Sequence, residues 1–159
     1  MSAAAEEDAV GAVVDASVAI KWVVAEPGSE LAARLLDGRP LHAPPLLLIE
    51  AANALWVMER RGVLTPDEAD DALAALGRVP LAPNPPGFDP VPRALRLARL
   101  LDHPVYDCVY LSLATELGVP VVTADRRFVS AAAARPEAAP LVRPLDALAE
   151  ADRPGGRGP

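Results

Sequence analysis

Two short runs of β-branched residues, each ended by an aspartate and followed at once by a helical pattern, constrain this chain more than anything else in it. The first is "AVGAVV", which stops at Val14 and gives way at Asp15 to "ASVAIKWVV". The second is "VPVVT", Val119 to Thr123, which leads through Ala124 into "DRRFVSAAAA". Runs this apolar predict buried strands, and strands that alternate with helices predict a parallel sheet, because parallel neighbours need a crossover and a helix supplies it. In open α/β sheets the ligand site lies outside the carboxyl ends of the strands. Asp15 and Asp125 therefore both sit where a site is expected.

The remaining pattern fills in the helices. Pro27 and Gly28 break the first, and Ser29 reads as the cap of "SELAARLLD", which ends at Gly38. A short strand over Leu41 to Ala43 leads through Pro44 and Pro45 into a long helix that runs to Gly62. Thr65-Pro66-Asp67-Glu68 combines a cap, a first-turn proline and two acids, so a helix follows. The proline-rich stretch from Gly77 to Pro92 allows at most an edge strand over Val79 to Ala82. "RALRLARLLD" and "YDCVYLSLATELG" are further helices, with His103 before Pro104 read as a turn residue, and a last strand is expected near Leu141 to Arg143. With 159 residues the chain has the length of one domain. We assign residues 1–11 to a flexible extension, 12–147 to the domain and 148–159 to a disordered tail.

The long helix carries an anomaly. In "PLLLIEAANALW" Glu50 stands among apolar residues in the second turn, where an ionised, unpaired carboxylate costs several kcal/mol if it is buried. It shares a face with Asn53, Ala54 and Val57, as Asp107 does with Tyr110, Leu111 and Ala114. Capping or helix-dipole complementation accounts for Asp15, Asp107 and Asp125 one at a time, but not for Glu50. Four carboxylates gathered in one place stay ionised near neutral pH only around a shared cation. Oxygen ligands select hard ions, so Mg2+ is expected, with Mn2+ as a substitute. His42, His103 and Cys108 lack zinc-ligand spacing.

Composition excludes other classes. The formal charge of −7 argues against a generic polyphosphate-binding surface. No apolar run spans a bilayer, the acidic start "MSAAAEEDAVGA" is not a secretory leader, and one cysteine makes no internal disulfide, so a cytoplasmic location is expected.

Three blocks, "VVDASVAIKWVV" at Val13 to Val24, "PPLLLIEAANAL" at Pro44 to Leu55 and "YDCVYLSLATELGVPVVTADRRF" at Tyr106 to Phe128, resemble in order and spacing the signature blocks of bacterial PIN-domain proteins of the VapC toxin type. The likeness covers roughly Ala12 to Val129; Gly77 to Pro92 and the segment beyond Arg135 have no specific counterpart. The resemblance implies a PIN-like three-layer α/β/α sandwich on a central parallel sheet, and a metal-dependent endoribonuclease. Carried over position by position, Asp15, Glu50, Asp107 and Asp125 match the metal-binding, catalytic acids, with Asp125 at the more variable fourth position. Ser17, Asn53 and Thr123 match the small polar residues behind them. The metal polarises the scissile phosphate and lowers the pKa of a water. Lys21, Arg126 and Arg127, with Arg60 and Arg61, are candidate phosphate contacts, and a solvated surface role is the competing reading.

The resemblance also implies partners: an RNA substrate, a VapB-like antitoxin and a second copy in a homodimer. Ile20, Trp22, Val23, Leu31, Leu35, Leu55, Trp56 and Met58 exceed what one core face needs, and the excess is expected to form a hydrophobic groove for an antitoxin helix. The alternatives are a catalytically silent PIN-type module that binds RNA or protein, and a Mg2+-binding receiver-type signalling domain. The receiver reading needs an acid beside Asp15 and a lysine late in the chain; Ala16 follows Asp15, and the single lysine is Lys21.

Overall fold

The computed structural model describes residues 11–150. The expected extension (1–11, apart from Gly11) and the tail beyond 150 lie outside the described residues. Residues 148–150, assigned from sequence to the tail, belong to a final helical turn, α8 (Ala147–Glu150).

Four parallel strands form the centre: β1 (Ala12–Val14), β2 (Leu41–His42), β3 (Val121–Thr123) and β4 (Val142–Pro144), in the order β2-β1-β3-β4. Ala12 pairs with Leu41, Val13 with Val121, and Val121 with Val142. All three residues of β1 and all three of β3 are buried, as strands covered by helices on both faces must be. The fold is the expected three-layer α/β/α sandwich. From β1 the chain crosses to β2 on one side, and from β3 to β4 on the other, so the connections diverge between β1 and β3. That divergence opens a crevice at the carboxyl ends of the two central strands.

The helices are α1 (Ala16–Ala19), α2 (Ser29–Ala33), α3 (Leu46–Arg60), α4 (Pro66–Leu76), α5 (Val91–Leu101), α6 (Val105–Leu117) and α7 (Arg126–Ala133). The most deeply packed is α6, with every residue from Cys108 to Ala114 buried; it lies against β1 and β3 and packs on α5. Gly118, at φ 67, ends it in the left-handed conformation that a residue without Cβ adopts cheaply, and the chain turns directly into β3. On the other side of the site, α3 packs on α1 and α4.

Local differences from the sequence reading have physical causes. α1 is one turn long and tightens into a 3-10 turn over Ile20–Trp22. Ser29 is not the cap of α2: Gly28 holds that position at φ 91, while the Ser29 hydroxyl donates to the Val24 carbonyl (3.2 Å) and accepts from the Glu26 amide (3.1 Å). Val79 to Ala82 form no strand, since Pro80 has no N–H to give a ladder; one bond, Ala82 N–H to the Leu41 carbonyl at 2.7 Å, ties this stretch to the sheet edge.

Thr65 caps α4 as expected, and the cap closes into a full capping box: the Thr65 hydroxyl accepts from the Glu68 amide (3.2 Å) and the Glu68 carboxylate accepts from the Thr65 amide (2.7 Å). Thr65→Ala, which removes the hydroxyl, lowers stability by about 1 kcal/mol in urea unfolding, and Thr65→Ser restores most of it. Equal midpoints for all three proteins would show that the cap carries no weight.

Candidate active site

Asp15 follows β1 directly and is only 3% exposed. It caps α1 through Oδ1, which accepts from the Ser17 hydroxyl at 2.5 Å and from the Val18 amide at 3.3 Å. The bland capping role is therefore real, yet a cap is normally wet and this one is not. Burial pushes its pKa up from 3.8 to about 6, against the downward pull of hydrogen bonds from Ser17 and Thr123, with Asp107 adding repulsion.

The other central strand supplies a matching loop. Thr123 is fully buried, and its hydroxyl accepts from the Asp125 amide at 3.0 Å. Asp125 caps α7, with Oδ1 accepting from the Arg127 amide (2.8 Å) and the Phe128 amide (3.3 Å). Ser17 bridges the two loops: its oxygen accepts from the Ala124 amide at 2.9 Å and lies 3.4 Å from the Thr123 hydroxyl. Ser17 and Thr123 thus fix how the ends of β1 and β3 face each other.

Asp107 enters from the first turn of α6 and is the electrostatic hub. It repels Asp15, Glu50 and Asp125 alike. Its own pKa is raised, by desolvation first, against a hydrogen bond from His103 that lowers it, and with Asp125 raising it further. Glu50, half-buried on α3, is raised by desolvation first; the nearby Tyr110 hydroxyl pulls it down and Asp107 pushes it up. No hydrogen bond of good geometry joins Glu50 and Tyr110, and both Glu50 Oε1 and the Tyr110 hydroxyl are buried without a partner. Asp107 thus feels all three other acids, and the Glu50–Tyr110 pair is under-satisfied as the protein stands.

Sequence reasoning missed two neighbours. His103 is no plain turn residue: its Nε2 lies 2.6 Å from Asp107 Oδ2, and ligand atoms of His103, Asp107 and Asp125 fall within 4.8 Å of one another. Tyr110 is fully buried, with its hydroxyl aimed at the acids, and burial first and then those acids raise its pKa. Positions four before and three after Asp107 are the signal that could have found both. Asn53 is exposed on the turn after Glu50, and Cys108 is buried, its thiol pushed up to about 11 by burial and by Asp107.

Two openings meet the acids. A groove of about 820 Å³ runs past Ser17, Lys21, Glu50, Asn53 and Tyr106, and a second of about 630 Å³ exposes His103, Asp107, Asp125, Arg126 and Arg127. Lys21 is engaged at 3.0 Å by Glu26 and at 2.8 Å by the Pro27 carbonyl, so its charge is already matched. Arg126 and Arg127 are exposed at the start of α7. Arg60 lies over the exposed Trp56 ring at 5.5 Å from the centroid.

The expected hydrophobic surface forms only in part: Ile20 and Met58 line the groove and Trp56 is exposed, whereas Leu35 and Leu55 do not contribute. Ile20, Leu35 and Leu55 are core, and Trp22 is anchored by a 2.8 Å bond from Nε1 to the Ala32 carbonyl. The large exposed apolar groups that line the groove are Ile49 (68% exposed) and Tyr106 (64%).

A PIN domain profile matches residues 12–134: the chain belongs to the PIN domain family. It is 37% identical over 117 residues to Ribonuclease VapC3 of Pyrobaculum aerophilum, spanning 72% of this chain and 89% of that one. Ribonuclease VapC1 of Mycobacterium tuberculosis is 36% identical over 124 residues, 75% of this chain and 89% of the relative. The fold is shared with the crystal structure of PAE2754 from Pyrobaculum aerophilum, at TM-score 0.62 and 22% identity, over 89% of this chain and 96% of that one.

Proposed function

We propose that this protein is a metal-dependent endoribonuclease, with Asp15, Glu50, Asp107 and Asp125 as its catalytic acids, in a single domain over residues 12–147. The carrying observation is that Asp107 couples to three other carboxylates, one of them almost fully buried. Curated relatives named as ribonucleases support the reaction class.

The donor set fits a hard divalent cation, Mg2+ with Mn2+ as substitute. Glu50 Oε1 is an orphaned buried acceptor, and Asp15 carries an unfavourable buried charge that a cation would relieve. When bound, the ion supplies Lewis-acid polarisation of the scissile phosphate and activation of a water. The chain's own residues do the rest. Asp15, Asp107 and Asp125 each have one oxygen anchored by the protein, which fixes the direction of the other. Ser17 and Thr123 hold the two strand-end loops in register, and Asn53 faces the groove where it can meet substrate. Arg126 and Arg127 grip the phosphate backbone; Lys21 contributes less because Glu26 already matches it.

A nuclease with this site needs restraint inside a cell, and we read it as the toxin of a pair with a small VapB-like antitoxin, in a cytoplasmic setting. Ile49 and Tyr106 beside the groove suit an apolar partner segment, and a second copy of the chain is the other partner we assign. Among the described residues no helix is long and apolar enough to cross a membrane.

The test is cleavage of a panel of tRNA, rRNA and mRNA with Mg2+ or Mn2+ and with EDTA. Cleavage with either ion and none with EDTA is expected, together with a rise in melting temperature on adding Mn2+. Metal binding without cleavage of any RNA would favour the silent binding module instead.

A further inference from the structure

We propose that His103 is a positioning residue, whose Nε2–H holds Asp107 Oδ2 so that the carboxylate turns its other oxygen to the metal in a single orientation. This deepens the metal-dependent reading above and rests on it.

Three observations carry the inference. The Nε2 to Oδ2 distance is 2.6 Å, and the side chains of His103 and Asp107 are only 8% and 20% exposed, so water competes poorly for the bond. The imidazole is stacked on Phe128, with ring centroids 5.3 Å apart and planes 15° from parallel. Phe128 is fully buried, so the imidazole rests on a core side chain. Finally, His103 sits at the entry of α6 and Phe128 in the first turn of α7, so the histidine ties the helix that carries Asp107 to the helix that Asp125 caps.

The chemistry then follows from donor and acceptor rules. An ionised carboxylate only accepts, so the nitrogen facing it must bear a proton. A protonated nitrogen has no lone pair for a metal. Direct coordination by His103 is the competing arrangement, since its nitrogen lies in the same 4.8 Å group as the two aspartates. The 2.6 Å separation favours the hydrogen bond. Two ligands on one octahedral ion of about 2.1 Å bond length sit about 3.0 Å apart, whereas 2.6 Å is a charge-assisted hydrogen bond. With Asp107 Oδ2 and Asp125 Oδ1 both committed to the protein, each aspartate offers one oxygen, which leaves room for the waters that Mg2+ retains.

The experiment compares wild type with His103→Gln, which keeps a donor at the same reach, and His103→Phe, which keeps the ring on Phe128 but has no donor. Circular dichroism of the metal-free proteins checks folding. Mn2+ affinity by calorimetry should fall about 10- to 100-fold in His103→Phe, the scale of losing a group that orients a ligand, and stay within about threefold of wild type in His103→Gln. Nitrogen-labelled imidazole NMR of the metal-free wild type should show the Nε2–H form, and pulsed EPR of the Mn2+ form should show no directly bound nitrogen. Unchanged Mn2+ affinity in a folded His103→Phe overturns the proposal. So does a directly bound nitrogen in the EPR spectrum, with His103→Gln as weak as His103→Phe, because that would make His103 a ligand. Failure of the wild type itself to bind Mn2+ instead removes the metal-dependent reading, and the proposal with it.

Discussion

Asp107→Asn cleaves RNA at least about 1,000-fold more slowly than wild type while keeping its fold. Removing one positioned electrostatic group from an active site costs about 100- to 1,000-fold, and Asp107 stands at the upper end because three other acids couple through it. The amide is isosteric, can still accept from His103, and removes a charge that was costly to bury, so nothing in the packing of α6 is lost. Mn2+ binding by calorimetry falls with activity. Asp70→Asn on the exposed face of α4 makes the same change of charge and leaves cleavage unaltered. Residual cleavage within tenfold of wild type in a folded Asp107→Asn protein would remove Asp107 from the centre of the site.

How much of this was legible in the sequence depends on whether the signal was local. Asp15 and Asp125 could be placed because each follows a run of β-branched residues whose burial is unambiguous; the sheet then sets the two side by side through the Val14 to Val122 pairing. Glu50 could be singled out because a carboxylate in an apolar turn conflicts with the pattern around it. His103 could not be placed as easily. Pro104 marks a turn, and the contact with Asp107 forms only because α6 starts at Val105, which brings the two residues one turn apart across the helix entry. The groove was legible only in part, for a different reason. Counting large apolar residues on α1 to α3 does not say which face each takes, and in a three-layer fold Leu35 and Leu55 are both consumed by the core. What remains exposed is set by the angle at which α3 packs on α1 and α4, a tertiary property. The stretch from Val79 to Ala82 shows the same limit: its prolines allowed an edge strand, but only the position of Leu41 determined that a single hydrogen bond would form.

Asp15→Asn should make the metal-free protein more stable at pH 7.5, by a margin that shrinks as the pH is lowered. Burial raises the pKa of Asp15 from 3.8 to about 6. A carboxyl raised on folding binds its proton more tightly in the native than in the unfolded state, so between those two values the native state holds the extra proton and stability falls as pH rises. Below about pH 4 the group is neutral in both states and costs nothing; above about pH 6 the full cost is present. At 1.36 kcal/mol per unit, this shift corresponds to about 3 kcal/mol, or roughly 6–12 °C in melting temperature for a domain of this size. Asparagine is as good an N-cap as aspartate, so the bonds from Ser17 and the Val18 amide have an acceptor in the variant and the charge is the main thing removed. Glu50 and Asp107 are also raised by burial and steepen the pH dependence of both proteins, so the informative quantity is the difference between the two curves. Thermal unfolding in EDTA from pH 4 to 8 measures it. Adding Mn2+ at pH 7.5 should then reverse the order, stabilising wild type by mass action and the variant much less. If Asp15→Asn is the less stable protein throughout in EDTA, Asp15 serves the fold as a cap, and the cost of its buried charge is not held in reserve for a cation.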